Sequence, residues 1–130
     1  MDEKSTNLTQ AEWTVMECLW EKGGLTGREV THEMAARCGW SRSTTLTLLG
    51  RLEHKGVVKG AAGERGPKVF SPLLRREDAA LRETKNFLSR VYQGSLSLMV
   101  SALTKKQALP QEDLDQLYAL LKGLEEERHD

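Results

Sequence analysis

The sequence predicts a mainly α-helical protein with one small β-hairpin. Apolar residues recur with the spacing of an amphipathic helix through most of the 130 residues. Between residues 57 and 71 that spacing gives way to two short strand-like runs around a turn-rich segment. Hydrophobic residues make up 38% of the chain and aromatic residues only 5%, which favours helices packed through aliphatic side chains.

The first two predicted helices each begin at a capping box. Thr9 and Glu12 have the N-cap and N3 spacing of the first helix, and Thr26 and Glu29 have that of the second. A glycine closes each helix. These local signals predict two short helices near the start of the chain.

A third helix and a hairpin follow. The helix is predicted over residues 41–55, with Ser41 as its N-cap and Gly56 after its end. The strands are predicted at 57–60 and 68–71. Within residues 8–72, three helices and a hairpin are the order of a winged helix-turn-helix domain, in which the third helix enters the major groove of DNA and the hairpin contacts the DNA backbone.

Rotating the third helix by about 100° per residue predicts its buried and exposed faces. The predicted core side consists of Thr45, Leu46, Leu49 and Leu52. The opposite side carries short hydroxyl side chains and basic groups, which suit contacts with phosphates and base edges. The expected readers of base sequence are Thr44, Thr47 and Arg51, with Ser43 close by. The full set of predicted DNA-binding residues is Ser41, Arg42, Ser43, Thr44, Thr47, Arg51, Lys55, Arg65 and Lys68.

The distribution of charge supports this interpretation. The chain has 19 basic and 19 acidic residues, which excludes a strongly basic tail and an acidic disordered protein. Residues 37–68 nevertheless contain seven basic and two acidic residues, a local net charge of +5. Such a concentration favours phosphate binding. An ordinary solvated face would carry similar residues, so that alternative stays open.

Cofactors and an enzymatic site are not expected. The two cysteines, Cys18 and Cys38, are too few for a disulfide framework and share no metal-ligand spacing with the histidines. No catalytic motif is present. The polar N-terminus resembles no signal peptide, and no apolar run reaches the length of about 20 residues that a membrane helix needs. These features favour a cytoplasmic protein that binds no metal.

The second half, residues 73–124, is predicted to contain helices only, and residues 1–7 and 125–130 are expected to be flexible. About 50 residues bury little apolar surface on their own, so we expect this half to pack against a second copy of the chain. A monomer in which these helices cover the first domain is the alternative. The predicted dimerisation residues are Phe87, Leu88, Val91, Tyr92, Leu96, Met99, Leu103, Leu114, Leu117 and Leu121.

Three segments resemble the penicillinase-repressor family, of the BlaI, MecI and CopY type. They are Leu8-Thr9-x-Ala11-Glu12-Trp13-x-Val15-Met16 followed by Leu19-Trp20, then Trp40-Ser41-x-x-Thr44 with Leu48-Leu49-x-Arg51-Leu52-x-x-Lys55-Gly56, and finally Phe87-Leu88 with Val91-Tyr92-x-Gly94. The resemblance extends over roughly residues 7–124. It implies a homodimeric winged-helix transcriptional repressor that binds a palindromic operator through its N-terminal domain and dimerises through its C-terminal helices.

Single positions refine what the resemblance implies. Ser41, Thr44 and Arg51 match the residue types of the family. Thr45 stands where a β-branched apolar residue is usual, and Leu46 where some members have a basic residue, which implies a different base preference.

The resemblance also suggests a regulatory mechanism. In the β-lactam-resistance members, a membrane sensor-protease triggers cleavage of an Asn-Phe bond in the dimerisation region. Here Ser101 and Ala102 occupy that place, so cleavage at this site requires a different specificity. No cysteine follows Cys38, so copper sensing through Cys-x-Cys pairs is not expected.

Two other functions remain open from the sequence. Winged helices also serve as protein-interaction modules, and a regulator can respond directly to a ligand or a metal without proteolysis. A DNA-binding function predicts affinity that falls steeply with salt, whereas a protein-binding module tolerates neutralisation of Arg51 and Lys55.

Overall fold

A computed structural model describes residues 7–129 of the chain, mainly as helices with a small antiparallel sheet, so the predicted fold class is confirmed. The elements in chain order are α1 (Gln10–Lys22), β1 (Leu25–Thr26), α2 (Gly27–Cys38), α3 (Arg42–His54), β2 (Val58–Ala62), β3 (Lys68–Pro72), α4 (Arg76–Tyr92), α5 (Leu96–Lys105) and α6 (Gln111–His129).

The ends of the chain were expected to be flexible. Residues 1–6 and 130 lie outside the described residues, and residue 7 precedes α1 without regular structure. Residues 125–129 belong to α6, which continues past the predicted limit at residue 124.

The first three helices begin where the capping signals predict. The Thr9 hydroxyl accepts a hydrogen bond from the Glu12 backbone N–H at 3.1 Å, and the Thr9 N–H donates to Glu12 Oε1 at 2.8 Å. Thr26 and Glu29 form the same reciprocal pair at the start of α2. Ser41 caps α3. These caps satisfy backbone N–H groups that a helix terminus leaves without partners.

The sheet has one strand more than the sequence predicts. Its order is β1-β3-β2, with both pairs antiparallel, and β2 and β3 form the predicted hairpin. In β1, Leu25 pairs with Phe70 and Thr26 with Val69. Two residues are too few to show a strand periodicity. Gly24 lets this segment approach β3, because a Cβ there would lie 2.9 Å from side-chain atoms of Val69 and Ser71.

Helices α1, α2 and α3 and the sheet enclose one apolar core. Its largest fully buried side chains include Met16, Leu19, Met34, Leu49 and Leu52. The buried side of α3 differs from the prediction at two positions. Leu48 is buried, whereas Leu46, predicted to be in the core, is 36% exposed. The buried positions Thr45, Leu48, Leu49 and Leu52 have the i, i+3, i+4, i+7 spacing of one helix face, and Leu46 lies about 100° from Thr45 around the helix.

The described chain divides into two compact units between Glu83 and Thr84, within α4, rather than at the predicted boundary after residue 72. Side-chain contacts explain why the start of α4 belongs to the first unit. The Trp20 indole N–H donates to the Leu74 carbonyl at 2.8 Å. Arg76 donates to Glu17 at 2.7 Å and lies about 6 Å above the rings of Trp13 and Trp20. The two indoles themselves meet edge to face, with centroids 5.2 Å apart.

The second unit contains the end of α4 together with α5 and α6. From residue 84 to residue 128, no side chain is buried within the single chain. Its exposed large apolar residues include Leu96, Leu98, Tyr118, Leu120 and Leu121. A helical segment without a buried core of its own needs another apolar surface to pack against.

Candidate nucleic-acid interface

Helix α3 is fixed to the core through one face, which leaves its other face open to solvent. Leu48, Leu49 and Leu52 anchor the helix, and the opposite stripe consists of Ser43, Thr47, Gly50 and His54, all exposed. This stripe has small residues at its first three positions, a histidine at its end and no acidic group. It has the shape and chemistry of a helix face that enters the major groove.

The hydroxyl groups at the start of α3 are ordered by the cap. Ser41 Oγ accepts a hydrogen bond from the Thr44 backbone N–H at 3.2 Å and donates to Thr44 Oγ1 at 3.1 Å. Both side chains are exposed. Because Thr44 Oγ1 accepts from Ser41, its own proton is available to donate to a phosphate or a base acceptor.

Lys55 has a structural role that its position in the sequence does not reveal. Its Nζ lies 2.6 Å from Glu12 Oε1 and donates to the Asn7 carbonyl at 2.8 Å. Glu12 is 1% exposed. Burial by itself would raise the pKa of Glu12, but the hydrogen bonds from Lys55 and Thr9 and the charge on Lys55 lower it overall. Lys55 thus joins the end of α3 to the start of α1.

The hairpin is tied to α3 by a second ion pair. Lys68 Nζ lies 2.9 Å from Glu53 Oε1 and 5.2 Å from the centroid of the Phe70 ring. Gly60 leaves room for this arrangement, since a Cβ there would fall within 3 Å of both Lys68 and Glu53. Arg65 is exposed in the turn that joins β2 and β3.

Two arginines border a cavity of about 420 Å³ between the N-terminal ends of α2 and α3. The cavity is lined by Gly27, Arg28, Thr31, Arg42 and Leu46. Arg28 is absent from the residues that the sequence predicts, although its place just after the Thr26 cap is a usable signal, because N–H groups at a helix start attract anions.

The positive surface differs from the one that the sequence predicts. Arg37 is paired with Glu21 and Glu33, and Lys55 and Lys68 are paired as described. Over residues 7–129, no carboxylate is paired with the exposed side chains of Arg28, Arg42, Arg51, Lys59 and Arg65. The unpaired charge is therefore on the outer part of α3, the start of α2 and the hairpin.

The chain matches the family model described as penicillinase repressor over residues 8–123. It belongs to the penicillinase-repressor family. This family comprises DNA-binding transcriptional repressors and not enzymes.

Individual relatives agree with this assignment. The penicillinase repressor of Bacillus licheniformis is 30% identical over 118 residues, which cover 91% of each chain. The methicillin resistance regulatory protein MecI of Staphylococcus aureus strain N315 is 29% identical over 121 residues, or 93% of this chain and 98% of MecI. A solution structure of the DNA-binding domain of the repressor BlaI superposes with a TM-score of 0.52 at 28% identity, covering 60% of this chain and 93% of that domain.

In this penicillinase-repressor family member, the predicted dimerisation residues differ in exposure. Phe87, Val91, Leu96 and Leu121 are exposed, and the half-buried ones are Leu88, Tyr92, Met99, Leu103, Leu114 and Leu117. Sequence periodicity does not single out Leu98 and Tyr118, which are 51% and 70% exposed.

The candidate cleavage residues Ser101 and Ala102 lie in the middle of α5 and are half-buried. They help to line a cavity of about 440 Å³ together with Val91, Tyr92 and Leu98. A protease needs an extended backbone, so cutting this bond requires α5 to unfold locally.

The two cysteines of this repressor-family chain differ in exposure. Cys18 is buried, which raises the pKa of its thiol, and Cys38 is exposed. Among residues 7–129, no three metal-ligating side chains gather into a cluster. Across the same residues, no helix combines the length and apolar character of a membrane span.

Proposed function

We propose that this repressor is a homodimer that binds a palindromic operator in double-stranded DNA, with α3 in the major groove and the β2-β3 hairpin on the adjacent backbone. The observation that carries the proposal is the exposed face of α3. It is fixed by the buried leucines, lacks acidic groups, and is bordered by arginines that no carboxylate of residues 7–129 neutralises.

Within this interface, base reading is assigned to Ser43, Thr44, Thr47 and Arg51, because their side chains lie on the open side of α3. Phosphate contacts are assigned to Arg28, Arg42, Lys59 and Arg65. Ser41 caps α3 and is assigned a contact with the DNA backbone at the start of that helix. Lys55 is left out because it is held by Glu12, and Lys68 contributes only when it leaves Glu53.

Dimerisation is assigned to the second unit. Its apolar residues have no buried core in the single chain, so a second copy is the surface that covers them. A two-fold dimer presents two copies of α3, which matches two half-sites of a palindrome.

Release from the operator is assigned to proteolysis. Relatives of this chain are named as regulators of methicillin resistance and as penicillinase repressors. By analogy, a membrane sensor-protease activated by a β-lactam cuts α5 at or beside Ser101 and Ala102 and separates the dimer. The repressor itself acts in the cytoplasm, where its operator lies.

The test is a binding titration with DNA selected by the wild-type protein from a random duplex pool long enough for two half-sites. We expect two chains per selected duplex and affinity that falls steeply with salt. Arg51→Ala should weaken binding to the selected duplex by about 5- to 150-fold, the equivalent of about 1–3 kcal/mol, if Arg51 reads a base.

Arg82→Ala is the matched control, because Arg82 is an exposed arginine of α4 outside the proposed interface. Equal weakening on selected and random duplexes would reassign Arg51 to a phosphate. Unchanged affinity of Arg51→Ala would remove it from the interface. If the wild-type protein bound no DNA even at low salt, the proposal would be wrong, and a protein-binding winged helix would take its place.

A further inference from the structure

Gly50 lies near the middle of the 13-residue helix α3. Glycine is the poorest helix former after proline, so its presence there weakens the helix. The backbone conformation at position 50 does not require a glycine. The described glycines with positive φ are Gly23, Gly39, Gly56 and Gly94, and Gly50 is not among them.

Packing does not demand a glycine at this position either. Beyond its chain neighbours and the adjacent backbone of α3, a Cβ built on Gly50 meets no described atom within 4 Å. At Gly24 and Gly60, by contrast, an added Cβ would collide with side chains at 2.9 Å and 2.2 Å. Packing therefore explains those two glycines, whereas no contact among residues 7–129 requires a glycine at position 50.

Gly50 lies on the face of α3 that is proposed to meet DNA. It is exposed on the side of α3 opposite the buried leucines, three residues after Thr47 and next to Arg51. The major groove is about 12 Å wide, and a helix with its side chains is about 10–12 Å across, so the clearance is small. A side chain at the deepest point of such a helix limits how far the helix can enter.

We propose that Gly50 is a specificity-determining position, at which the backbone of α3 approaches the base edges closely enough for the short side chains of Ser43 and Thr47 to reach them. The inference rests on the proposed function and goes beyond it. It predicts opposite signs for two measurements. Alanine or glutamine at position 50 should stabilise α3, yet each should weaken binding to the operator.

The experiment compares Gly50→Ala and Gly50→Gln with the wild type in the full-length protein. The probes are the duplex that the wild type selects from a random pool and an unselected duplex of equal length. Gly123→Ala is the matched control. Gly123 is also an exposed glycine inside a helix, α6, with open space around its Cβ, and it lies outside the proposed DNA interface.

We expect Gly50→Ala and Gly123→Ala each to raise Tm by about 2–6 °C. Gly50→Ala should bind the selected duplex about 10-fold more weakly and Gly50→Gln about 100-fold more weakly, comparable to one or two mismatched base pairs. Neither should change affinity for the unselected duplex, and Gly123→Ala should change affinity for neither. A repeated selection with Gly50→Gln should yield a different consensus.

The outcomes separate the two proposals. If Arg51→Ala weakens binding to the selected duplex but Gly50→Ala and Gly50→Gln bind it like the wild type, the role of Gly50 is rejected and the repressor function stands. A fall in Tm for Gly50→Ala would also overturn the inference, since it would show that the fold itself requires the glycine. If the wild type enriches no sequence, both proposals fail together.

Discussion

Thr45 buries a hydroxyl group under the proposed DNA-binding face. It is completely buried, and no described protein group forms a hydrogen bond with its Oγ1. A buried hydroxyl without a partner costs about 1–3 kcal/mol. The helix that carries the proposed base readers is thus less stable than its apolar neighbours would allow.

We expect Thr45→Val to raise the free energy of unfolding by about 1 kcal/mol, because valine has the same shape without the hydroxyl. Urea denaturation followed by circular dichroism measures this change. Thr31→Val is the control, since the Thr31 hydroxyl donates to the Gly27 carbonyl at 2.7 Å and its loss should not stabilise the protein. A destabilised Thr45→Val would show that the hydroxyl has a partner.

The Glu12 carboxylate makes stability depend on pH. Its pKa is held below the ordinary value of 4.5, so the unfolded chain takes up a proton at a higher pH than the folded chain does. The stabilisation is complete at neutral pH and is lost as the pH falls through about 4.5 and below.

Glu12→Gln removes this titration and retains a residue suited to the capping box. We expect the wild type to be the more stable of the two at neutral pH, with the difference in urea midpoint shrinking as the pH is lowered below 4.5. If the difference in urea midpoint between the wild type and Glu12→Gln did not change with pH, the titration of Glu12 would not be the source of the pH dependence of stability.

Single residues could be predicted where their partners are close in sequence. The Thr9 and Glu12 cap spans three residues, and its pattern is visible in the sequence. Lys55 and Glu12 are 43 residues apart, so the sequence places Lys55 on a DNA-binding face while the structure shows it paired internally. Long-range pairing of charged side chains has no local signal.

Among the elements, the β2-β3 hairpin is coupled to α3 by the Lys68–Glu53 ion pair. The two side chains are 46% and 36% exposed, so the pair contributes little stability. Its main effect is to neutralise Lys68 at the edge of the proposed interface.

We expect Glu53→Gln to strengthen DNA binding several-fold at low salt and to steepen the salt dependence by about one phosphate contact, because Lys68 becomes available. The free energy of unfolding should change by less than about 1 kcal/mol. Glu77→Gln is the control, because Glu77 also forms an ion pair with a basic side chain, Arg75, at the start of α4, where both side chains are more exposed than Lys68 and Glu53. Equal affinity of wild type and Glu53→Gln would mean that Lys68 contacts no phosphate.

The elements themselves were largely predictable. Helices α1 to α3 were predicted from their N-cap residues and closing glycines, and the hairpin was predicted from the change from helical to strand-like spacing of the apolar residues. Strand β1 was not predicted, because two residues form it only through their pairing with β3. On α3, Leu46 was predicted to be buried and is exposed, whereas Leu48 is buried. The helical period of apolar residues thus identifies the buried face of a helix, but it does not decide which residues lie at the edges of that face.

For the whole molecule, binding to a palindrome as proposed depends on the proposed dimer. Leu121 is 54% exposed on α6 and belongs to the apolar residues that a second copy would cover. We expect Leu121→Glu to shift the protein from dimer to monomer in analytical ultracentrifugation and to weaken binding to a two-half-site duplex far more than to a single half-site.

Gln116→Glu provides the control, because it adds the same charge at an exposed polar position of α6. If Leu121→Glu remained dimeric, the interface would lie elsewhere. A monomeric wild type would contradict the dimer itself. The sequence alone could not choose between these states, because apolar periodicity is the same whether a helix packs on its own chain or on another.

The distribution of aromatic residues gives the two units separate optical signals. All three tryptophans, Trp13, Trp20 and Trp40, lie in the first unit, and both tyrosines, Tyr92 and Tyr118, lie in the second. Fluorescence excited at the red edge of the indole band therefore reports on the first unit alone, while the tyrosine bands resolved in the second-derivative absorbance spectrum report on the second. Loss of helix packing after the proposed cleavage would be measured in one signal while the proposed operator-binding unit is monitored in the other, without attaching a dye to either.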